Sequence, residues 1–143
     1  ERSLYDDYAH HPNEIKETIK LGRLFINEKN NNEFPKSRLI AIFQPHRYSR
    51  VKKFAKEFAE ELSKADVIYV TSIYAAGEEN VDKITSEIIT DLICKQNKNV
   101  SYIDNYHEIT KKFYELTQKG DLILNMGAGD CHNLWSILKK KDN

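Results

Sequence analysis

Three short apolar runs fix the fold class of this chain. RLIAIF at 38–43 is a nearly unbroken apolar run, and VIYVTS at 67–72 and DLILNM at 121–126 are mostly apolar. Each is too short for a packed helix, and an unbroken apolar run is what a strand needs when both its faces are covered. Between them lie longer stretches with helical spacing. Pro12 suits a first helical turn, where its missing N–H is not needed. Ile15, Ile19, Leu21, Leu24 and Phe25 then predict a helix over about 12–28 with these residues inward. Val51, Phe54, Phe58 and Leu62 predict one over 49–64, and Ile84, Ile88, Ile89, Leu92 and Ile93 one over 82–95. A helix over 105–119 and a last one over 130–140, its core face made of Leu134, Trp135, Ile137 and Leu138, complete the set. LYDDYA at 4–9 and VSYI at 100–103 read as two further strands. Strand and helix alternate five times, which predicts an α/β fold: three layers, a mostly parallel sheet with helices on both faces. The polar tract NEKNNNEFPKS, 27–37, predicts a mobile surface loop too short to divide domains.

In an open parallel sheet, ligands bind outside the carboxyl ends of the strands. The loops that follow the strands are the chemically distinctive ones here: DDYAHHP at 6–12, QPHRYSR at 44–50, IYAAGEE at 73–79 and GAGD at 127–130. The opposite edge carries NEKNNNEFPKS, SKAD, KQNKN and TQKG, which read as ordinary solvated connections. In QPHRYSR, Arg47 and Arg50 stand three apart at a helix start, so both lie on one side of its first turn. Two guanidinium forks beside free helix N–H groups suit a carboxylate or phosphate. The competing reading is that the arginines pair with surface acids, Asp6 and Asp7 among them.

The acidic and histidine-rich loop admits several chemistries. His10, His11 and His46 with a carboxylate would make a zinc site, but adjacent histidines rarely point to one place and no cysteine or HExxH spacing supports it. Asp6 and Asp7 as a phosphoryl-transfer pair meets the objection that strand neighbours face opposite ways. Tyr8 packs in the core on the plainest reading, and one histidine caps the next helix. GAGD either cradles a phosphate with its backbone or serves chain geometry. Tyr74 and Glu78 either line the same rim or are plain surface.

Charge excludes other classes. With 22 basic and 22 acidic residues the formal net charge is +0, so no global field draws the chain to nucleic acid or to an anionic membrane. No apolar run approaches the roughly 20 residues of a membrane span. Cys94 and Cys131 are far apart, which favours a reduced, cytosolic setting. There is no G-x-x-x-x-G-K-[ST] phosphate loop. The chain starts at Glu1 without methionine, as a piece of a longer protein would.

DDYAHHPNEI, IFQPHRYSR, IYAAGE and LNMGAGD together resemble, in order, the C-terminal domain of the Mur ligase family, and within it the UDP-N-acetylmuramate–L-alanine ligases. The resemblance covers 1–143 as a single Rossmann-like domain. It implies two further domains outside this chain, an N-terminal one for the UDP sugar and a central one carrying the phosphate loop with ATP and Mg2+. It implies an ATP-dependent ligase adding L-alanine to UDP-N-acetylmuramate in cytoplasmic peptidoglycan synthesis. It implies that Tyr8, His10, Arg47 and Arg50 bind L-alanine and that Asp7 approaches the nucleotide when the domain closes. His11, His46 and Glu78 take supporting roles, no residue is catalytic on this chain alone, and no resident metal is implied. Ala9 stands where many relatives have glycine, Ser72 where aspartate is common, and Cys131 where an apolar residue is common. The competing expectation is a free-standing α/β module for a phosphorylated small molecule or nucleotide.

Overall fold

The structure, a computed structural model, describes residues 2–32 and 36–132 and, beyond them, 134, 136 and 138. Among these residues five strands form one parallel sheet: β1 (Ser3–Asp7), β2 (Leu39–Phe43), β3 (Val67–Val70), β4 (Val100–Tyr102) and β5 (Leu122–Met126). Their order across the sheet is β1-β5-β2-β3-β4. Among the described residues four helices alternate with them: α1 (Pro12–Asn32), α2 (Tyr48–Leu62), α3 (Glu87–Cys94) and α4 (Tyr106–Leu116). After β5 comes a short 3-10 turn, Asp130–His132.

The three layers follow from the alternation of side chains along buried strands. Leu39, Ala41 and Phe43 of β2 join Leu122, Leu124 and Met126 of β5 under Ile15, Ile19, Phe58, Ile89 and Ile93 from α1, α2 and α3. Ile40, Ile42 and Ile123 turn the other way, under Tyr106, Ile109 and Phe113 of α4 with Leu134 and Leu138. The topology agrees with this division. The chain steps in one direction from β1 through β4 and returns to β5, so right-handed crossovers place α1, α2 and α3 on one face and α4 on the other.

Several expectations need correction. The buried stripe of α1 is Ile15, Ile19, Gly22 and Ile26. Leu21, Leu24 and Phe25 are instead 68%, 60% and 47% exposed. The reason is Gly22: a Cβ there would meet Leu124 Cδ1 and Leu39 Cδ1, each at 2.9 Å, so the helix lies on the sheet at a residue with no side chain to count. The same helix continues to Asn32, past the expected end at 28 and into the tract read as a loop. Ile26 keeps it on the core, and the Asn30 side chain accepts from Ser37 N and donates to Ser37 O. α3 starts at Glu87 and not 82, because the Asn80 side chain bonds both Ile84 N and Ile84 O and holds that stretch as a turn. Ile88, expected inward, is 42% exposed. α4 ends at Leu116, short of the expected 119. β1 ends at Asp7 and β3 at Val70, earlier than expected, because the chain leaves the sheet there for the loops described below. Trp135 and Ile137 of the expected last helix lie outside the described residues.

Candidate functional site

Strand register brings the distinctive loops to one level. Asp7 pairs with Met126, Met126 with Phe43, and Phe43 with Val70, so β1, β5, β2 and β3 end side by side. β5 lies between β1 and β2, and the loop after β1 crosses its end. Gly127 N donates to Asp7 O at 3.0 Å, and Gln44 N donates to Met126 O at 3.0 Å.

Beyond that crossing the first two motifs meet. The His10 and His46 rings stand 5.8 Å apart between centroids. His46 stacks on Tyr74 at 5.6 Å and 15° between planes, and Arg50 Nη1 donates to His46 Nδ1 at 3.1 Å. An arginine can only donate, so His46 Nδ1 is unprotonated in this arrangement. Desolvation, then the positive charge of Arg50 and the neighbouring His10 and Arg47, lower the pKa of His46 below its ordinary 6.5, with Glu78 opposing. His10 Nδ1 lies 2.7 Å from Tyr8 O, which can only accept, so this ring donates through Nδ1, and the lone pair of its neutral form is on Nε2.

Among the described residues neither Arg47 nor Arg50 forms an ion pair, whereas Arg23 and Arg38 on the opposite edge bind Asp66 at 3.1 Å and Asp121 at 2.7 Å. The alternative of neutralisation by the acidic pair fails for a specific reason. Asp6 accepts from Asn125 Nδ2 at 2.8 Å, and Asp7 accepts from Ala9 N at 2.8 Å and Thr18 Oγ1 at 2.9 Å. Asp7 thus fixes the bend that follows β1, with its carboxylate turned to α1.

Other residues are placed differently from the core or metal readings. Tyr8 is 66% exposed, not packed in the core, and its ring lies 4.3 Å from that of His132. His132 was not legible in the sequence; only its position just after GAGD hints at it. His11 packs edge-on against Phe54 of α2 at 4.9 Å, and its carbonyl accepts from Ile15 N, so it begins α1. The three histidines therefore do not converge, and no group of three potential metal ligands occurs among the described residues. At the glycine turn, a Cβ on Gly129 would meet Tyr74 Cγ at 2.5 Å and Gln44 Oε1 at 2.6 Å. That glycine is required for close packing of β5's loop against Tyr74. Burial pushes the Cys131 thiol beneath it up to about 11, so it is no ready nucleophile.

Glu78 approaches the rim from the loop after β3. Its two carboxylate oxygens accept from Ser49 N at 2.8 Å and Ser49 Oγ at 2.5 Å. Those bonds to Ser49, with lesser help from Tyr48 N–H and Arg47, hold its carboxyl below the usual carboxylate range.

The glutamate ligase domain of the Mur ligases matches residues 1–129. The chain belongs to the Mur ligase family. It is similar to a UDP-N-acetylmuramate–L-alanine ligase of Prochlorococcus marinus subsp. pastoris, 64% identical over 99% of this chain and 30% of that relative. The chain thus spans about a third of the length of such Mur ligases. Among solved structures, a UDP-N-acetylmuramate-alanine ligase of Thermotoga maritima shares its fold with a TM-score of 0.70 at 23% identity, covering 97% of this chain and 26% of that one. A murein peptide ligase of Psychrobacter arcticus does so with a TM-score of 0.69 at 23% identity, covering 97% and 27%.

Proposed function

We propose that this chain is the C-terminal domain of an ATP-dependent ligase that joins L-alanine to UDP-N-acetylmuramate in cytoplasmic peptidoglycan synthesis, and that its rim holds the incoming L-alanine. The curated relative of 64% identity supports the reaction, since it bears that name. The observation that carries the site is the meeting of two loops distant in sequence: His46 touches both His10 and Arg50. An arginine pair without ion-pair partners among the described residues, beside a histidine whose neutral form has its lone pair on Nε2, matches the two ends of a small amino acid.

In this reading Arg47 and Arg50 take the carboxylate. A charge-assisted hydrogen bond is worth about 1.5–3 kcal/mol. Tyr8 and the Nε2 of His10 face the amine, which they orient and from which His10 can accept a proton. The N-terminal and central domains outside this chain would hold most of ATP, Mg2+ and the UDP sugar, and would supply its lactyl carboxylate as an acyl phosphate with release of ADP. The alanine nitrogen then forms the amide bond as phosphate leaves. Holding the amine in line with that carbon is the chain's contribution, and positioning of this kind accounts for a large share of catalysis. Asp7 would approach the nucleotide only by sharing lone pairs already used by Ala9 N and Thr18. The rival reading, a free-standing phosphate module, loses support at the glycine turn, whose Gly129 is occupied by packing against Tyr74.

In the full-length ligase, Arg47→Ala should raise the KM for L-alanine at least tenfold, about 1.4 kcal/mol or more. Steady-state kinetics with alanine varied at saturating ATP and UDP sugar reads this directly. An unchanged KM removes the clamp.

A further inference from the structure

Arg47 has a backbone that arginine seldom adopts. Its φ is 70° and its ψ 135°, in a region that L side chains disfavour, and it occupies the N-cap position of α2. An N-cap side chain normally accepts a hydrogen bond from the first turn, and a guanidinium cannot accept one. No side-chain cap comes from Arg47 itself. Glu78 supplies it from the neighbouring loop, taking the Ser49 N–H and hydroxyl with its two oxygens. The same two loops are tied further down: Arg47 N donates to Tyr74 O at 2.8 Å and Tyr74 N to Pro45 O at 2.8 Å. Strain of this kind persists only where the surroundings over-determine it, and it gathers at functional sites.

We propose that Glu78 is a positioning residue for the alanine clamp. By capping α2 from outside, it holds Arg47 in the strained conformation that aims its guanidinium at the substrate carboxylate. Glu78 does not touch the substrate. Its charge lies close enough to Arg47 to be felt, yet its oxygens are committed to Ser49, so Arg47 stays available to an external anion. The proposal rests on the clamp reading above and deepens it, because it assigns the loop after β3 a task in alanine affinity.

The test is a double-mutant cycle in the full-length ligase. Glu78→Ala should raise the KM for L-alanine about three- to tenfold while the KM for ATP and kcat stay within about twofold. Glu78→Gln keeps an acceptor for the Ser49 N–H and a partner for its hydroxyl, and should recover most of the loss. In an Arg47→Ala background, Glu78→Ala should add less than about twofold, because the group through which it acts is gone. Should Glu78→Ala not fold, Glu78→Asp shortens the reach by one methylene and carries the same expectation. If Arg47→Ala raises the alanine KM and Glu78→Ala does not, the positioning role is wrong and the clamp stands. If the Glu78→Ala effect persists undiminished without Arg47, the role is equally wrong. If Arg47→Ala itself changes nothing, the clamp and the positioning role fall together.

Discussion

His46 joins three parts of the site. It accepts from Arg50 at 3.1 Å, stacks on Tyr74 and stands beside His10. The charged and titratable groups that act on it are Arg50, Arg47, His10 and Glu78. Only the neutral ring can accept from Arg50. Because its folded-state pKa is lowered from 6.5, this neutral form predominates at neutral pH and is lost as pH falls below 6.5 through the lowered value. The stability linked to this group follows the same sign: present above the ordinary value, lost on acidification across that window. Protonation removes the acceptor and adds a positive charge beside two arginines. The KM for L-alanine in the full-length ligase should therefore be flat near neutrality and rise on the acid side. His46→Phe should raise it at neutral pH and abolish the acid limb. An acid limb that survives this substitution would assign the titration to another group. His46 was readable in the sequence as a member of QPHRYSR, but its role was not. Nothing in a linear motif tells which side chain the arginine three or four residues on will meet.

At the scale of elements, the strands were more legible than the helix faces, and the reason is packing. β2 and β5 are covered on both sides, so their residues are apolar except Asn125, whose amide donates to Asp6 and to the Cys131 carbonyl, and the runs announced themselves. A helix shows only one stripe, and in α1 that stripe passes through Gly22, which hydropathy spacing does not count. The apolar residues flanking it, Leu21 and Phe25, drew the expected face away from the true one. Glycine costs about 1 kcal/mol against alanine inside a helix, so Gly22 is kept for proximity and not for propensity. Gly22→Ala sets a small methyl against two flexible leucine ends, and the propensity gain offsets part of the crowding. Gly22→Val forces α1 off β2 and β5, and should destabilise the fold by about 1–3 kcal/mol. Urea unfolding followed by circular dichroism measures both, and a Gly22→Val chain as stable as the parent would mean that α1 can shift without loss. The ends of elements were also misread where side chains intervene: Asn30 prolongs α1, and Asn80 delays α3.

The whole molecule divides its charges between two edges. At the amino ends of the strands, Arg38 pairs with the buried Asp121 and Arg23 with Asp66, fastening loops to the sheet. At the carboxyl ends, Arg47 and Arg50 stand without ion pairs among the described residues, and the carboxylates near them are committed elsewhere. The sequence made the second edge visible because its loops are unusual, and the topology rule for parallel sheets said where they would gather. It left His132 unseen, because a contact with Tyr8 across more than a hundred residues has no local trace. On the proposed reading the rim serves one end of a reaction, as a place for a small amino acid, and the sequence has no phosphate loop for the other substrate. The chain, spanning 30% of its Prochlorococcus relative, should accordingly be inert alone. Purified and mixed with ATP, Mg2+, UDP-N-acetylmuramate and L-alanine, it should release phosphate no faster than a buffer control, while the full-length ligase turns over under the same conditions. Arg47→Ala in the isolated chain serves as the control for a contaminating ATPase, since a contaminant is indifferent to that residue. Phosphate release that depends on all three substrates and falls with Arg47→Ala would place ATP chemistry on this chain and overturn the division of labour between domains.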